Sequence, residues 1–343
     1  MSGLTIKIVG PRLRACTVGA LLARHCVPSG ASVAILADAE PRHGAHELLR
    51  PTFHRFHAEV GITAADLDRI GVRPVTTTRV AGCGIAGEVS LPFGPFGFPR
   101  DGADFHQHWL RSKSLGSPHD ISAYSPSLML SRLAGSMSCE QTESLPVETG
   151  MIGKADAYTD LLKARAEALG ATFAQPGPEN PADLIFDCGE LDAPSQWQAG
   201  RITVANPSRI PGTGLHACLQ AVNRWLAFSA RPGTSTAEAR EFNRLSGAEA
   251  ERIADMVELL FAADPASSPR QALRRKIDVF EACGRIPSED YEVFASHEWL
   301  AALLARGFYP ARHDRLADAL PQGELLDWLE RMRRQLAPRG KAA

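Results

Sequence analysis

The chain has no C-x-x-C pair: its seven cysteines, Cys16, Cys26, Cys83, Cys139, Cys188, Cys218 and Cys283, follow no regular spacing. That excludes a zinc ribbon and a disulfide framework, and leaves reduced, mostly buried thiols. There is no excess of charge of either sign, with 37 Lys and Arg against 39 Asp and Glu and a formal net charge of -2. Without a global field, neither nucleic acid nor an anionic membrane is an expected partner, and the basic run Arg331 to Arg334 reads as a solvated helix face. No stretch reaches the roughly 18 to 20 apolar residues of a membrane helix, and no apolar leader precedes the first strand, so the cytoplasm is the expected compartment. A G-x-S-x-G elbow is also missing, since Gly135-Ser136 runs into Met137, which leaves no seat for Ser/His/Asp hydrolysis.

What is present is a large apolar content, 44% of 343 residues, enough for one composite domain or two lobes. Leu4 to Val9 is an apolar run ending at Gly10, Cys16 to His25 reads as a helix, and Ser32 to Ala37 as a second strand. This is a βαβ unit with the entrance to a dinucleotide-binding turn. The turn itself departs from G-x-G-x-x-G: Gly10 is followed by Pro11, Arg12, Leu13, Arg14 and Ala15. The second glycine of such a loop lets backbone approach a pyrophosphate, and the third lets the helix sit against the strand. Pro11 removes an amide donor, although Arg12 and Arg14 could supply guanidinium groups to phosphate. Asp38, at the end of the second strand, stands where an acidic residue would hold a ribose hydroxyl; a turn-forming Asp is the equal alternative.

Strands are expected at Val75 to Val80 and Gly87 to Leu91, and Pro92 to Pro99 as a rigid aromatic loop. A helix is expected over Ala103 to Leu110. Ser112 to Gly150 reads as an irregular stretch that could cover a cleft. Asp156 to Leu169 is a helix, Ala182 to Gly189 and Arg201 to Ala205 are strands, and Leu215 to Phe228 is a helix. Long amphipathic helices follow, over roughly 236–262, 268–283, 290–305 and 322–337. The expected fold class is α/β, a Rossmann-like FAD/NAD(P)-binding domain over residues 1–232 with a helical C-terminal subdomain over residues 233–343.

In their order these segments resemble the flavin-dependent tryptophan halogenase family, a branch of the flavin monooxygenase fold. Glu241-Phe242-Asn243-Arg244 and Glu251 to Phe261 are similar to the family's E-x-N-R and E-R-I-R-D-F helices. Phe294 to Pro310, with Trp299 and Gly307, resembles its F-x-x-x-S-W…G-x-G-x-x-P segment. Asn206 to His216 lines up with its E-S-T-G-I-H turn. Asp156-Ala157-Tyr158, Ala182 to Gly189, and Leu91 to Gly94 with Asp104, Phe105 and Trp109 match weaker blocks. The resemblance implies a flavoprotein scaffold acting on an indole or other aromatic substrate.

Its departures fall on the residues that would carry the chemistry. Gly10 to Ala15 stands against G-G-G-x-A-G, and Ala45-His46-Glu47-Leu48 is set against the ring-side G-E-A-T. The lysine that handles hypohalous acid aligns with Arg79, which holds its charge at all accessible pH and cannot be a titrating amine. The glutamate of E-S-T-G falls on Pro211, while Gly212-Thr213-Gly214 retains a small turn able to bind an anion. No W-x-W counterpart lies between Gly189 and Arg201. The expectation is a shortened, degenerate relative, without halogenase activity of its own and with FAD absent or weakly bound at Gly10, Arg12, Arg14, Asp38 and Gly212 to Gly214. It would serve as the partner subunit of a flavin enzyme, as a homo-oligomer, or as a binder of an aromatic small molecule or peptide. The alternative is a genuine FAD-dependent halogenase or monooxygenase with an atypical site and Arg79 orienting the oxidant. His54 with His57, and His106 with His108, have no further ligands at metal spacing and read as packed or surface histidines. Cys139 beside Glu140 reads as chance.

Overall fold

The computed structural model describes residues 3–37, 44–132, 147–174, 181–228 and 236–336. In chain order, β1 (Thr5–Gly10), α1 (Arg12–Cys26), β2 (Ser32–Ala37), β3 (His46–Leu49), α2 (Thr52–Val60), α3 (Ala64–Arg69) and β4 (Arg73–Val75) lead into β5 (Thr77–Ala81) and β6 (Glu88–Pro92). Helices α4 (Phe105–Ser114) and α5 (Pro126–Ser131) precede β7 (Gly150–Lys154), α6 (Ala155–Ala168) and β8 (Thr172–Phe173). Then come β9 (Leu184–Leu191), β10 (Gln196–Gln198), β11 (Arg201–Ala205) and α7 (Thr213–Ala227). The chain closes with α8 (Thr236–Phe261), α9 (Gln271–Cys283), α10 (Ser296–Ala305) and α11 (Gln322–Leu336). None of these helices is long and apolar enough to cross a membrane.

The described residues divide into two compact units, both discontinuous: those between 3 and 74 and between 150 and 253 form one, and those between 75 and 132, 147 and 149, and 254 and 336 the other. The sequence reading places a single boundary after residue 232; the contacts instead return the chain to the first unit after an excursion through β5 to α5.

The first unit is built on a six-stranded sheet of order β10-β11-β9-β1-β2-β8, with a second sheet of order β3-β7-β4. Central strand β1 pairs in parallel with β2 on one side and β9 on the other. The strand order reverses at β1 and β9, and in open α/β sheets the crevice beyond the carboxyl ends at such a switch point is where ligands are held. The expected α/β class with a Rossmann-like core is what the molecule has. Alternation along β1 sends Ile6 and Ile8 into the core, both fully buried. Helix α1 is buried along almost its entire length, from Leu13 to Ala23. It lies close on the sheet at Gly19, where a Cβ would come within 2.3 Å of the Ile35 side chain. The close helix-to-strand approach that the third glycine of a dinucleotide loop usually permits is therefore met by Gly19, one turn beyond Ala15.

In the second unit, β5 and β6 form an antiparallel hairpin pairing Thr77 to Ala81 with Glu88 to Pro92, close to the strands read from the sequence. The aromatic loop after it buries Phe93 and Phe96 and leaves Phe98 exposed. Part of the stretch expected to be irregular is regular and packed: Ile121–Tyr124 is a 3₁₀ turn and α5 follows, with Ser125 and Ser127 fully buried. The Ser125 hydroxyl accepts from the Leu128 amide and caps that helix, a local signal that outweighs the polar composition.

Candidate functional site

The carboxyl edge of the main sheet carries Gly10, where β1 turns into α1. Gly10 has φ 118°, and a Cβ there would stand 2.8 Å from the Cys188 carbonyl carbon. This position therefore demands glycine, as in a dinucleotide loop. The next residues take a different course. Pro11 stands before the first turn of α1 with no side-chain cap, Arg12 is half-buried, and Arg14 is turned inward with 6% of its surface exposed.

The Arg14 guanidinium is anchored on the ends of two strands. Nη1 donates to the carbonyls of Cys188 (2.8 Å) and Gly189 (2.6 Å) on β9. Nη2 donates to those of Val204 (3.3 Å) and Ala205 (2.5 Å) on β11, and Nε to Cys218 Sγ (3.4 Å) on α7. All five N–H donors of the fork are thereby engaged. Through these contacts Arg14 satisfies backbone carbonyls of β9 and β11.

Around it is a buried polar group that the sequence reading did not assemble. Cys188 and Cys218 are both fully buried. The neighbouring Cys188, and against burial Arg14, hold Cys218 below the ordinary thiol range; Cys188 is pushed well up by Cys218 and by burial. Glu47, on β3, is pushed up to about 7, first by burial and then by the nearby Cys218, with Arg14 pulling the other way. A carboxyl poised near neutrality can take or give a proton at physiological pH. Burial and the charge of Glu47 raise the Tyr158 phenol well above its usual range, and Tyr158 shares a 2.7 Å hydrogen bond with His57 Nε2.

The turn Gly212 to Gly214 opens α7. Gly212 has φ 80°, and a Cβ would meet the Leu48 carbonyl oxygen at 2.8 Å. The Thr213 hydroxyl lies between the carbonyls of Pro207 (2.5 Å) and Ile210 (2.6 Å) and so serves the turn itself. At Gly214, a Cβ would press on Asn206 Oδ1 at 2.5 Å. One turn along α7, His216 Nδ1 approaches Thr52 Oγ1 at 3.4 Å and its Nε2 faces Glu249 Oε1 at 3.3 Å. Arg224 Nη2 holds the other Glu249 oxygen at 3.0 Å. Burial pushes the Glu249 carboxyl up, but the hydrogen bond and charge of His216, with Arg224, outweigh it and hold the group below its ordinary value.

Of the residues singled out in the sequence, Gly10, Arg12, Arg14, Gly212, Thr213 and Gly214 belong to this unit, with Arg14 joining α1 to α7. Asp38 lies outside the described residues, as does Cys139. Arg79 belongs to the other unit, on β5, where its 71%-exposed side chain makes a bidentate ion pair with Glu88 across the hairpin. The histidine pairs are packed or superficial: His57 is buried and His54 exposed, while His106 and His108 bond the carbonyls of Gly284 and Arg100. Among the described residues no cluster of three or more metal-ligating side chains occurs.

The same unit holds a cavity of about 660 Å³ at the opposite, amino end of the strands, lined by Leu4, Asp183, Trp197, Trp225 and Asn243 among others. Trp197 is clasped there by Asn243, whose Oδ1 accepts from its amide and whose Nδ2 donates to its carbonyl.

The fold is similar to that of solved flavin-dependent halogenases. A halogenase of that class from Brevundimonas sp. BAL3 superimposes with a TM-score of 0.80 at 17% identity, covering 97% of this chain and 95% of that one. One from Xanthomonas campestris gives 0.81 at 16%, covering 97% and 94%. A tryptophan 6-halogenase from Streptomyces toxytricini gives 0.73 at 10%, covering 97% and 96%. Residues 208–322 match the family model for tryptophan halogenase. No curated protein matches the sequence. The chain thus has the flavin-dependent halogenase fold, and the resemblance to the tryptophan halogenases read from its motifs holds.

Proposed function

We propose that this protein is a flavin-halogenase homologue that does not itself halogenate, acting as the partner subunit of a flavin enzyme or as a binder of an aromatic small molecule or peptide. The observation that carries this reading is Arg14. Its guanidinium is buried beside the switch point rather than turned to solvent, and its donors are committed to Cys188, Gly189, Val204, Ala205 and Cys218. An adenine dinucleotide needs small residues there so that backbone amides can approach the pyrophosphate. The residues present do not fit it, although Gly10 keeps the geometry of the first glycine.

Three further features support the reading. Arg79, at the family's lysine position, points into solvent and is neutralised by Glu88. The turn at Gly212 spends its hydroxyl on its own carbonyls. The cavity lined by Leu4, Asp183, Trp197 and Asn243 gives a small molecule a further place to bind, at the amino end of the strands. The experiment is an absorbance spectrum of the purified protein together with co-purification from the native host and mass spectrometry. A colourless protein that brings down a flavin enzyme, or whose melting temperature rises with an aromatic ligand, is expected. A yellow protein with flavin near stoichiometry would instead favour the FAD-dependent enzyme.

A further inference from the structure

We propose, as a sharper form of the ligand-binding reading above and resting on it, that the cavity at the amino end of the strands binds a zwitterionic dipeptide. Both ends of the ligand are free and its side chains apolar; its ammonium sits on Asp183 and its carboxylate on Arg240.

The described lining of this cavity belongs wholly to the first unit, and its volume of about 660 Å³ lies within the roughly 300–1,000 Å³ of small-ligand clefts. Leu4, Leu184 and Trp197 are buried residues of the lining, whereas Asp183, Arg240 and Gln198 are exposed ones. An occupant therefore meets apolar side chains and, at the rim, charges and an amide. Asn243 already takes the backbone amide and carbonyl of Trp197, so the edge of β10 is spent and the peptide is not added as a further strand. It has to be held by its ends.

Among the described residues of the lining, Asp183 and Arg240 are the charged ones, and they are of opposite sign. A phosphate or a bare cation would be attracted by one and repelled by the other. No ion pair joins them to each other or to another described residue; each is fixed by a backbone bond. Asp183 Oδ2 accepts from the Thr5 amide at 2.8 Å, and Arg240 Nε donates to the Thr236 carbonyl at 3.3 Å. Asp183 Oδ1 and both terminal nitrogens of Arg240 are thus left for a ligand. An ammonium at one end and a carboxylate at the other engage both groups at once. A free amino acid carries its two charges on one carbon, and two protein charges that do not reach each other are better spanned by a peptide.

The test is isothermal titration calorimetry of the full-length protein with leucyl-leucine, its N-acetyl and C-amide derivatives, and free leucine. One equivalent of leucyl-leucine should bind with a Kd of about 1 mM or below. Loss of either end charge should weaken it about fivefold, as befits ion pairs at a rim. In Asp183→Asn, which keeps an acceptor for the Thr5 amide, the dipeptide should weaken about as much and N-acetylation should then cost nothing more; Arg240→Gln should behave likewise toward C-amidation. No saturable heat from leucyl-leucine at millimolar concentration, free leucine bound as tightly, or blocked dipeptides bound equally well would overturn the proposal. The blocked-peptide comparison is made on wild type and decides the matter even if a variant does not fold. An aromatic ligand that raises the melting temperature of a protein giving no heat with leucyl-leucine would keep the broader reading and remove this site. A yellow flavoprotein that binds leucyl-leucine through both end charges would do the reverse.

Discussion

Arg14 Nη1 lies 2.8 Å from the carbonyl oxygen of Cys188, on the strand end next to the one that carries Gly10. That contact joins the first turn of α1 to the neighbouring strand through a side chain, at a point where a dinucleotide-binding protein would keep the space open. It also makes Arg14 a structural member of the fold. Replacing it with leucine leaves four strand-end carbonyls without their donor, and with charge-assisted bonds at about 1.5–3 kcal/mol each and partial rescue by water, a loss of roughly 3–5 kcal/mol is expected in urea unfolding. Arg14→Lys should recover only a fraction, because a point charge cannot span four oxygens. An unchanged midpoint for Arg14→Leu would mean that the carbonyls are satisfied without it.

Glu47 and His57 impose opposite pH dependences on stability. Burial raises Glu47 from 4.5 to about 7, so its contribution to stability is full below pH 4.5 and fades as pH rises through 7. Burial, then His54, lowers His57 from 6.5 to about 3, so its contribution is full above pH 6.5 and fades as pH falls toward 3. Between about pH 4.5 and 6.5 the two slopes oppose. Glu47→Gln should leave a protein that loses stability on acidification in that window, and His57→Gln one that gains it, each by up to about 3 kcal/mol. Melting temperatures across the window check both signs, and parallel profiles for wild type and variants would contradict the burial of these groups.

The pair of Glu249 and Arg224 should behave as a buried ion pair. Glu249→Gln strips the main anion from Arg224, whose side chain is only 10% exposed and also lies 5.7 Å from the Phe242 ring centre. A loss of about 3–5 kcal/mol is expected. The double variant Glu249→Leu with Arg224→Met should be much closer to wild type, because no charge is then left buried. A double-mutant cycle by chemical denaturation checks this.

Two glycines should respond in opposite ways. Gly10→Ala forces a Cβ to within 2.8 Å of the Cys188 backbone at φ 118° and should cost about 2–5 kcal/mol. Gly247→Ala, inside α8 with nothing within 4 Å, should stabilise by about 1 kcal/mol. Equal effects at the two sites would deny the close approach at Gly10.

The β1-α1-β2 unit, α6, α8 and α11 were legible in the sequence because apolar period, a strand-ending glycine and helix length are local signals. Helix α10 begins at Ser296, not near 290, since Tyr291 takes φ 60° and the Glu298 carboxylate accepts from the Ala295 amide, fixing the start there. The sheet of β3, β7 and β4 was not legible: four residues at His46–Leu49 pair with Gly150–Lys154 about a hundred residues away, and nothing local announces it. At the site, Gly10 could be read, whereas the inward course of Arg14 could not. Its one signal is a charge set in a run from Leu13 to Ala23 whose only other polar side chain is Thr17. Glu47 was not legible, because its place on β3 beside Cys218 and Arg14 is set by tertiary packing. The joining of Thr52, His216 and Glu249 is purely tertiary.

Whether the inward Arg14 closes this unit to a dinucleotide is tested most directly by an equilibrium titration of the wild-type protein with FAD, followed by flavin fluorescence. No saturable binding of oxidised or reduced FAD is the predicted result; one equivalent bound tightly, with Arg14 in place, would contradict it.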